Sequence, residues 1–219
     1  ADFAHAMKHL VPERHRRKWT NRKLEKSDYS CSTFMLYLGV DTQYDIHHNN
    51  ILFAPDYHQN VPDIAEDYVI SEDPSVYIHK PHVTDPTLAP EGKSSIYLLV
   101  PIANTDANID WRSEAPRYRE KVLDIVEERG GLKGIRDHIE VEAMITPDDW
   151  AGERSVFKGA TFNLAHSVPQ MLYFRPHNEF EEFKNCYLVG GGTHPGSGVP
   201  TILESGRISA QMILKRDFG

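Results

Sequence analysis

The stretch best suited to chemistry lies near the end of the chain, Gly190-Gly191-Gly192-Thr193-His194-Pro195-Gly196-Ser197-Gly198-Val199-Pro200. Glycines permit positive φ and let a ligand come close to the main chain. Pro200 fits the first turn of a helix, where its missing N–H is not needed. The apolar run Cys186 to Val189 before the turn predicts a short strand buried on both faces. Small residues at Ser205, Gly206, Ser209 and Ala210 then predict a helix face able to pack closely against something flat. A strand end, a glycine turn and a helix N-terminus together suit an anion or the electron-rich edge of a ring.

Other chemistry-bearing patterns fail on spacing. A Gly-x-Gly-x-x-Gly fingerprint counted from Gly190 meets Pro195 at its third position, and from Gly196 it meets Thr201. Gly92-Lys93-Ser94 imitates the end of a phosphate loop, but Thr87 stands where the earlier glycine is required and a strand follows. Ser167 and Ser197 have His166 and His194 close in sequence, yet neither serine sits in a Gly-x-Ser-x-Gly elbow. His47 and His48 are adjacent in a turn, with no spacing that completes a metal site. No catalytic residue and no metal ligand is assigned.

The elements that must position the glycine turn are those of an α+β chain. A helix is expected over residues 2 to 19, with Phe3, Met7, Leu10 and Val11 on one face. Strands follow at Ser32 to Val40, Ile51 to Ala54, Val76 to His79 and Ile96 to Ala103, with a short helix from Val61 to Tyr68 among them. Ser113 to Glu128 reads as the clearest helix, capped by Ser113 and ended by Gly130-Gly131. Ile139 to Ile145 reads as a further strand, and Pro147 starts a short helix. Consecutive strands without crossover helices imply a mostly antiparallel sheet with flanking helices.

Composition narrows the partners. The 24 Lys and Arg against 32 Asp and Glu leave a net charge of −8, without the basic footprint of a nucleic-acid binder. Cys31 and Cys186 stand far apart in strand-like contexts and read as buried thiols of a reducing compartment. No run reaches the roughly 18 apolar residues of a membrane span, and no secretory h-region opens the chain. Arg14, Arg16, Arg17, Lys18, Arg22, Lys23 and Lys26 cluster around Trp19. They form either a solvated helix end or a contact with anionic headgroups.

The Thr-His-Pro-Gly-x-Gly-x-Pro core of the glycine turn resembles the C-terminal flavin-contacting motif of the bacterial-type phytoene desaturases and their carotenoid-desaturase relatives. The resemblance extends to Tyr173-Phe174-Arg175-Pro176-His177-Asn178, to Thr84 through Gly92 and to the strand Ser32 to Val40, so most of the chain is covered. It implies FAD as cofactor, a lipophilic polyene substrate, and a cytoplasmic, peripherally membrane-associated enzyme. It also implies that the dinucleotide-binding unit lies upstream. These residues would then be a C-terminal portion that binds FAD weakly alone. Residues 1–183 would belong to a substrate-binding domain, and 184–219 would be the return segment of the FAD-binding domain.

By the same resemblance, Gly191 and Gly192 pass beneath the ribityl-diphosphate arm. The N–H of Val199 faces the pyrimidine edge, Pro200 fixes the turn, and Gly198 leaves room for the ring. Thr193 and His194 match the motif as shapers of the turn, with a proton-shuttle role for His194 as the alternative. Arg175 is expected to tie the loop to carbonyls or to take a cofactor or channel role. Among strand aromatics such as Phe34, Tyr37 and Tyr97, some would line a polyene channel and the rest would be core. Three functions remain open: a carotenoid desaturase, another member of the superfamily (isomerase, ketolase or amine oxidase), or a domain without redox activity that acts as a binding module.

Overall fold

A computed structural model describes residues 2–218. In chain order the main elements are α1 (Phe3–Leu10), α2 (Asn21–Lys26), β1 (Ser32–Val40), β2 (Asn49–Leu52), α3 (Tyr57–Ala65), β3 (Val76–His79) and β4 (Ser94–Ile102). They continue with α4 (Trp111–Arg129), α5 (Ile135–His138), β5 (Ile139–Ile145), α6 (Pro147–Ala151) and α7 (Val199–Phe218). The chain is α+β and forms two compact units. One is Cys31–Asp149, and the other combines the residues up to Ser30 with those from Trp150 onward. The border expected at 183/184 therefore falls inside a unit. Asn178 shows why: its Nδ2 reaches Leu188 O, His194 O and Ser205 O at 3.0–3.3 Å, so residues on both sides of that border share one hydrogen-bond centre.

The unit from Cys31 to Asp149 is built on a five-stranded antiparallel sheet in the order β2-β3-β4-β1-β5. β1 lies between β4 and β5 and is buried along most of its length, as a strand flanked by two partners requires. Phe34, Leu36, Leu38 and Val40 point to one face and join Trp111, Tyr118, Val122 and Val126 of α4 in the core. Phe34 stacks on Trp111 at 5.7 Å and meets Tyr118 edge-on at 5.0 Å.

α4 begins two residues before the expected start. Asp110, rather than Ser113, caps it: its carboxylate accepts from Arg112 N at 3.2 Å and also from the Ser113 hydroxyl. A carboxylate there complements the helix dipole better than a hydroxyl does. At the far end Gly131 takes φ +73°, and Leu132 N–H donates back to Val126 O, closing the helix.

The other unit holds a smaller core of Phe3, Ala4, Met7, Trp19, Leu24, Tyr29, Ala160, Leu164 and Phe180. Asp2 caps α1 by accepting from His5 N at 2.7 Å. The helix stops at Leu10 instead of continuing to residue 19, because Pro12 drives Val11 out of the helical region (φ −118°, ψ 109°). Trp19 is 2% exposed and meets Phe3 edge-on at 5.0 Å. Arg16 is also buried, donating to Trp19 O at 2.9 Å and to Asn21 Oδ1 at 2.8 Å. Neither residue can take the headgroup contact expected of it. Cys31 and Cys186 are half-buried and not joined in a disulfide, and burial pushes the Cys31 thiol up.

Candidate functional site

The glycine turn is held from beneath by α7 and by the segment before it. Cys186 to Val189 is not a strand: only Tyr187 forms a bridge, to Glu179, and Val189 is exposed. The main-chain bonds of this segment go to the preceding loop (Phe180 N to Cys186 O, Leu188 N to Asn178 O), so no sheet covers it. The small-residue face of α7 packs against this segment. Ser209 Oγ donates to Leu188 O at 2.9 Å, and a Cβ on Gly206 would stand 3.8 Å from Val189 Cγ1.

Thr193 is buried, and its hydroxyl donates to Gly190 O at 2.9 Å and lies 3.0 Å from Ser205 Oγ. That is the turn-shaping role expected of it. His194 is tied by its main chain, its N–H donating to Pro176 O and its C=O accepting from Asn178. It is one wall of a groove of about 910 Å³, with Tyr173, His177, Phe183, Ile208 and Met212 among the others.

The turn presents unused donors. Among the described residues, the N–H groups of Gly191, Gly192, Gly196, Gly198 and Val199 find no protein acceptor, whereas those of Thr193, His194 and Ser197 do. Val199 and Pro200 open α7, so the Val199 N–H adds to the positive end of the helix dipole. Gly198 takes φ +113°, a conformation that excludes a side chain without strain.

Gly192 differs from expectation. It is not among the positive-φ residues, and a Cβ there would lie 2.4 Å from Phe3 Cβ and 2.6 Å from Asn163 Oδ1. The space a side chain would need is already filled by the protein.

Arg175 lies under this turn, fully buried. Its Nε donates to Thr193 O at 3.2 Å, and its Nη2 donates to Gly191 O at 2.6 Å and Leu164 O at 3.3 Å. Sequence reasoning allowed this carbonyl-tying role but could not show that no carboxylate accompanies it. Burial pulls its pKa down to about 10. The neighbouring His166 accepts from Ser197 N–H at 3.1 Å; burial and the Arg175 charge hold its pKa below the ordinary value. These residues fit a ligand that brings negative charge or an electron-rich edge to the turn. No three His, Cys, Asp or Glu side chains come together to hold a metal among the described residues.

In the other unit, the sheet face away from α4 carries a row of polar and aromatic side chains. The strand pairings place Asn49, His79, Tyr97, Tyr37 and Ala143 side by side on β2, β3, β4, β1 and β5. His79 stacks on Tyr97 at 4.5 Å, and Tyr37 and Tyr77 each stand 5.8 Å from Tyr97. Asn49 Oδ1 lies 2.9 Å from His79 Nδ1 and accepts from Tyr77 OH at 2.6 Å. Burial, then Tyr77, pushes the Tyr97 phenol up to about 12. Phe34 belongs to the core, while Tyr37 and Tyr97 lie on this face. Tyr77 and His79 were missed, although their alternation with buried Val76 and Ile78 marks them as its members.

The chain is 53% identical over 216 residues to a 4,4'-diapophytoene desaturase (4,4'-diapolycopene-forming) from Methylomonas sp, covering 99% of this chain and 42% of that protein. It is 41% identical over 219 residues to a phytoene desaturase (neurosporene-forming) from Rhodobacter capsulatus, covering 97% of this chain and 42% of the relative. The chain thus spans about two-fifths of the length of these relatives. Its fold is similar to that of an oxidoreductase from Methanosarcina mazei, with a TM-score of 0.57 at 17% identity over 96% of this chain and 42% of that one. No protein-family model matches the chain.

Proposed function

Because the chain belongs to the carotenoid desaturase family, we propose that it forms part of a flavin-dependent enzyme desaturating a carotenoid precursor such as phytoene or 4,4'-diapophytoene. The observation that carries the flavin part is the turn itself: unused N–H donors at Gly191, Gly192, Gly198 and Val199 over a buried arginine that, among the described residues, has no carboxylate partner. FAD, when bound, supplies an acceptor for the hydride that leaves a C–H bond, which no side chain can accept. In this reading the main chain at Gly191 and Gly192 takes the diphosphate arm. Gly198, Val199 and Pro200 take the ring edge, and Thr193 holds the turn's shape. The protein's contribution is to bind, to orient and to place positive electrostatic potential where charge develops.

A polyene needs a long apolar support with few groups that demand water. The row of Tyr37, Tyr97, Tyr77 and His79 offers flat aromatic faces across several strands. Such a substrate resides in a bilayer. No helix among the described residues is long and apolar enough to cross one. Contact by the exposed cations Arg14, Arg17, Arg22, Lys23 and Lys26 at a membrane surface is therefore part of the proposal.

The test is made on the full-length protein that contains this chain. It should purify with flavin absorbance, and it should convert phytoene or diapophytoene into products whose absorption moves into the visible as conjugation lengthens. A flavin-free protein, or a flavoprotein that leaves both hydrocarbons unchanged, would overturn the reading.

A further inference from the structure

Arg175 is an unusual cation. Its side chain is fully buried, and among the described residues no Asp or Glu pairs with it. Its acceptors are three main-chain carbonyls, those of Leu164, Gly191 and Thr193, and its Nη1 has no acceptor at all. His166 does not compensate it, since its Nε2 is already the acceptor for Ser197 N–H. A buried guanidinium without a counter-charge is strongly unfavourable unless negative charge arrives from elsewhere. Two of its three acceptor carbonyls belong to the glycine turn, whose neighbouring N–H groups are unused. The charge therefore sits directly beneath the surface that those donors form.

We propose that Arg175 is an electrostatic positioning residue, the fixed positive charge that stabilises a reduced, negatively charged flavin at the Gly190–Pro200 turn. The inference rests on the flavin reading above and deepens it. Oxidised flavin is neutral at its ring, whereas a hydride brings two electrons and one proton and leaves one extra negative charge. A buried cation favours the second state over the first, because in a site of low polarity the charge is little screened. A residue that served only as a strut between carbonyls would have no such preference.

The experiment compares Arg175→Gln and Arg175→Lys in the full-length protein, by flavin midpoint potential and by the dissociation constant for sulfite. Sulfite adds to oxidised flavin and leaves negative charge on the ring, so its affinity reports the local potential. Gln keeps an amide donor for the carbonyls but removes the charge, while Lys keeps the charge and loses the fork. Arg175→Gln should lower the potential by about 30 mV, a tenfold change in the two-electron equilibrium. It should also weaken sulfite binding by about tenfold, and Arg175→Lys should stay close to the parent in both at a pH low enough to keep the lysine charged. Parent-like potential and sulfite affinity in Arg175→Gln would show a strut only and overturn the inference while leaving the flavin reading intact. A parent protein without flavin would defeat both, and is recognised from its own spectrum.

Should Arg175→Gln fail to fold, Arg175→Lys decides alone. A buried lysine loses its proton well below the arginine, so the sulfite affinity of Arg175→Lys should fall relative to the parent as the pH rises. Parallel curves for parent and Arg175→Lys would overturn the inference.

Discussion

At position 192 the constraint comes from residues remote in sequence. Phe3 Cβ and Asn163 Oδ1 occupy the place of a Cβ, so the glycine holds the turn against α1 whether or not a ligand is present. Gly192→Ala should therefore destabilise the free protein by about 1–3 kcal/mol through overpacking, read as a lower urea midpoint without added flavin. An unchanged midpoint would return Gly192 to a purely ligand-facing role. His79 and His82 give a second residue-scale prediction. Burial is the leading cause in both, with His48 adding to it at His79 and Lys80 at His82, and both pKa values lie below the ordinary 6.5. The unfolded chain then takes up these protons first as pH falls. Their stabilising contribution is present above pH 6.5 and is lost on acidification towards the lower folded values. Between pH 7.5 and pH 5.5 the parent should lose more urea resistance than His79→Gln. Equal losses would show that His79 does not titrate differently in the two states.

Among the elements, the segment from Pro12 to Lys26 changes meaning most. Arg16 and Trp19 belong to the core, and Lys18 pairs with Glu181 at 2.7 Å, leaving Arg14, Arg17, Arg22, Lys23 and Lys26 as the exposed cations. Changing Arg14, Arg17, Arg22 and Lys26 to Gln in the full-length protein should reduce co-sedimentation with anionic liposomes. Each charge contributes roughly 1 kcal/mol at such a surface, and salt should weaken the parent's binding as well. Parent-like sedimentation of the variant would assign these residues to a solvated face. The sequence misleads here for a physical reason. The Lys23 ammonium lies 4.2 Å from the centre of the Trp19 ring, so a buried aromatic and its cationic cover occupy the same stretch and read as surface. Strands β1, β3 and β5 were legible to the residue, because apolar runs and alternation are local signals. The strand expected at Cys186 to Val189 was not, since strand formation depends on a partner and not on the run alone. The glycine turn and its helix were legible from Gly190 through Pro200. The filling of Gly192 by Phe3 and Asn163 was not, because contacts across some 190 and 30 positions leave no local pattern.

For the molecule as a whole, the decisive fact is that each unit has a core of its own. All 19 buried residues of the larger cluster lie between Cys31 and Asp149, a contiguous stretch. Residues 31–149 expressed alone should fold cooperatively and keep near-ultraviolet dichroism from the packed Phe34, Trp111 and Tyr118. A non-cooperative melt would show that the sheet depends on the remainder of the chain. The connections have a further consequence. The chain enters this unit on β1 and leaves it from β5, and these strands are hydrogen-bonded neighbours, with Met35 opposite Ile145. Where Met35 faces Ile145 the entering and leaving strands are one strand spacing apart, roughly 5 Å. An inserted block that enters and leaves on neighbouring strands can be excised and closed with a short link, or exchanged for its counterpart from a relative, with only two junctions to repair. On the proposed reading, in which the aromatic face of that block supports the polyene, substrate range becomes a transplantable property. A chimera carrying a donor's residues between those junctions should take on the donor's preference for hydrocarbon length while keeping the host's glycine turn.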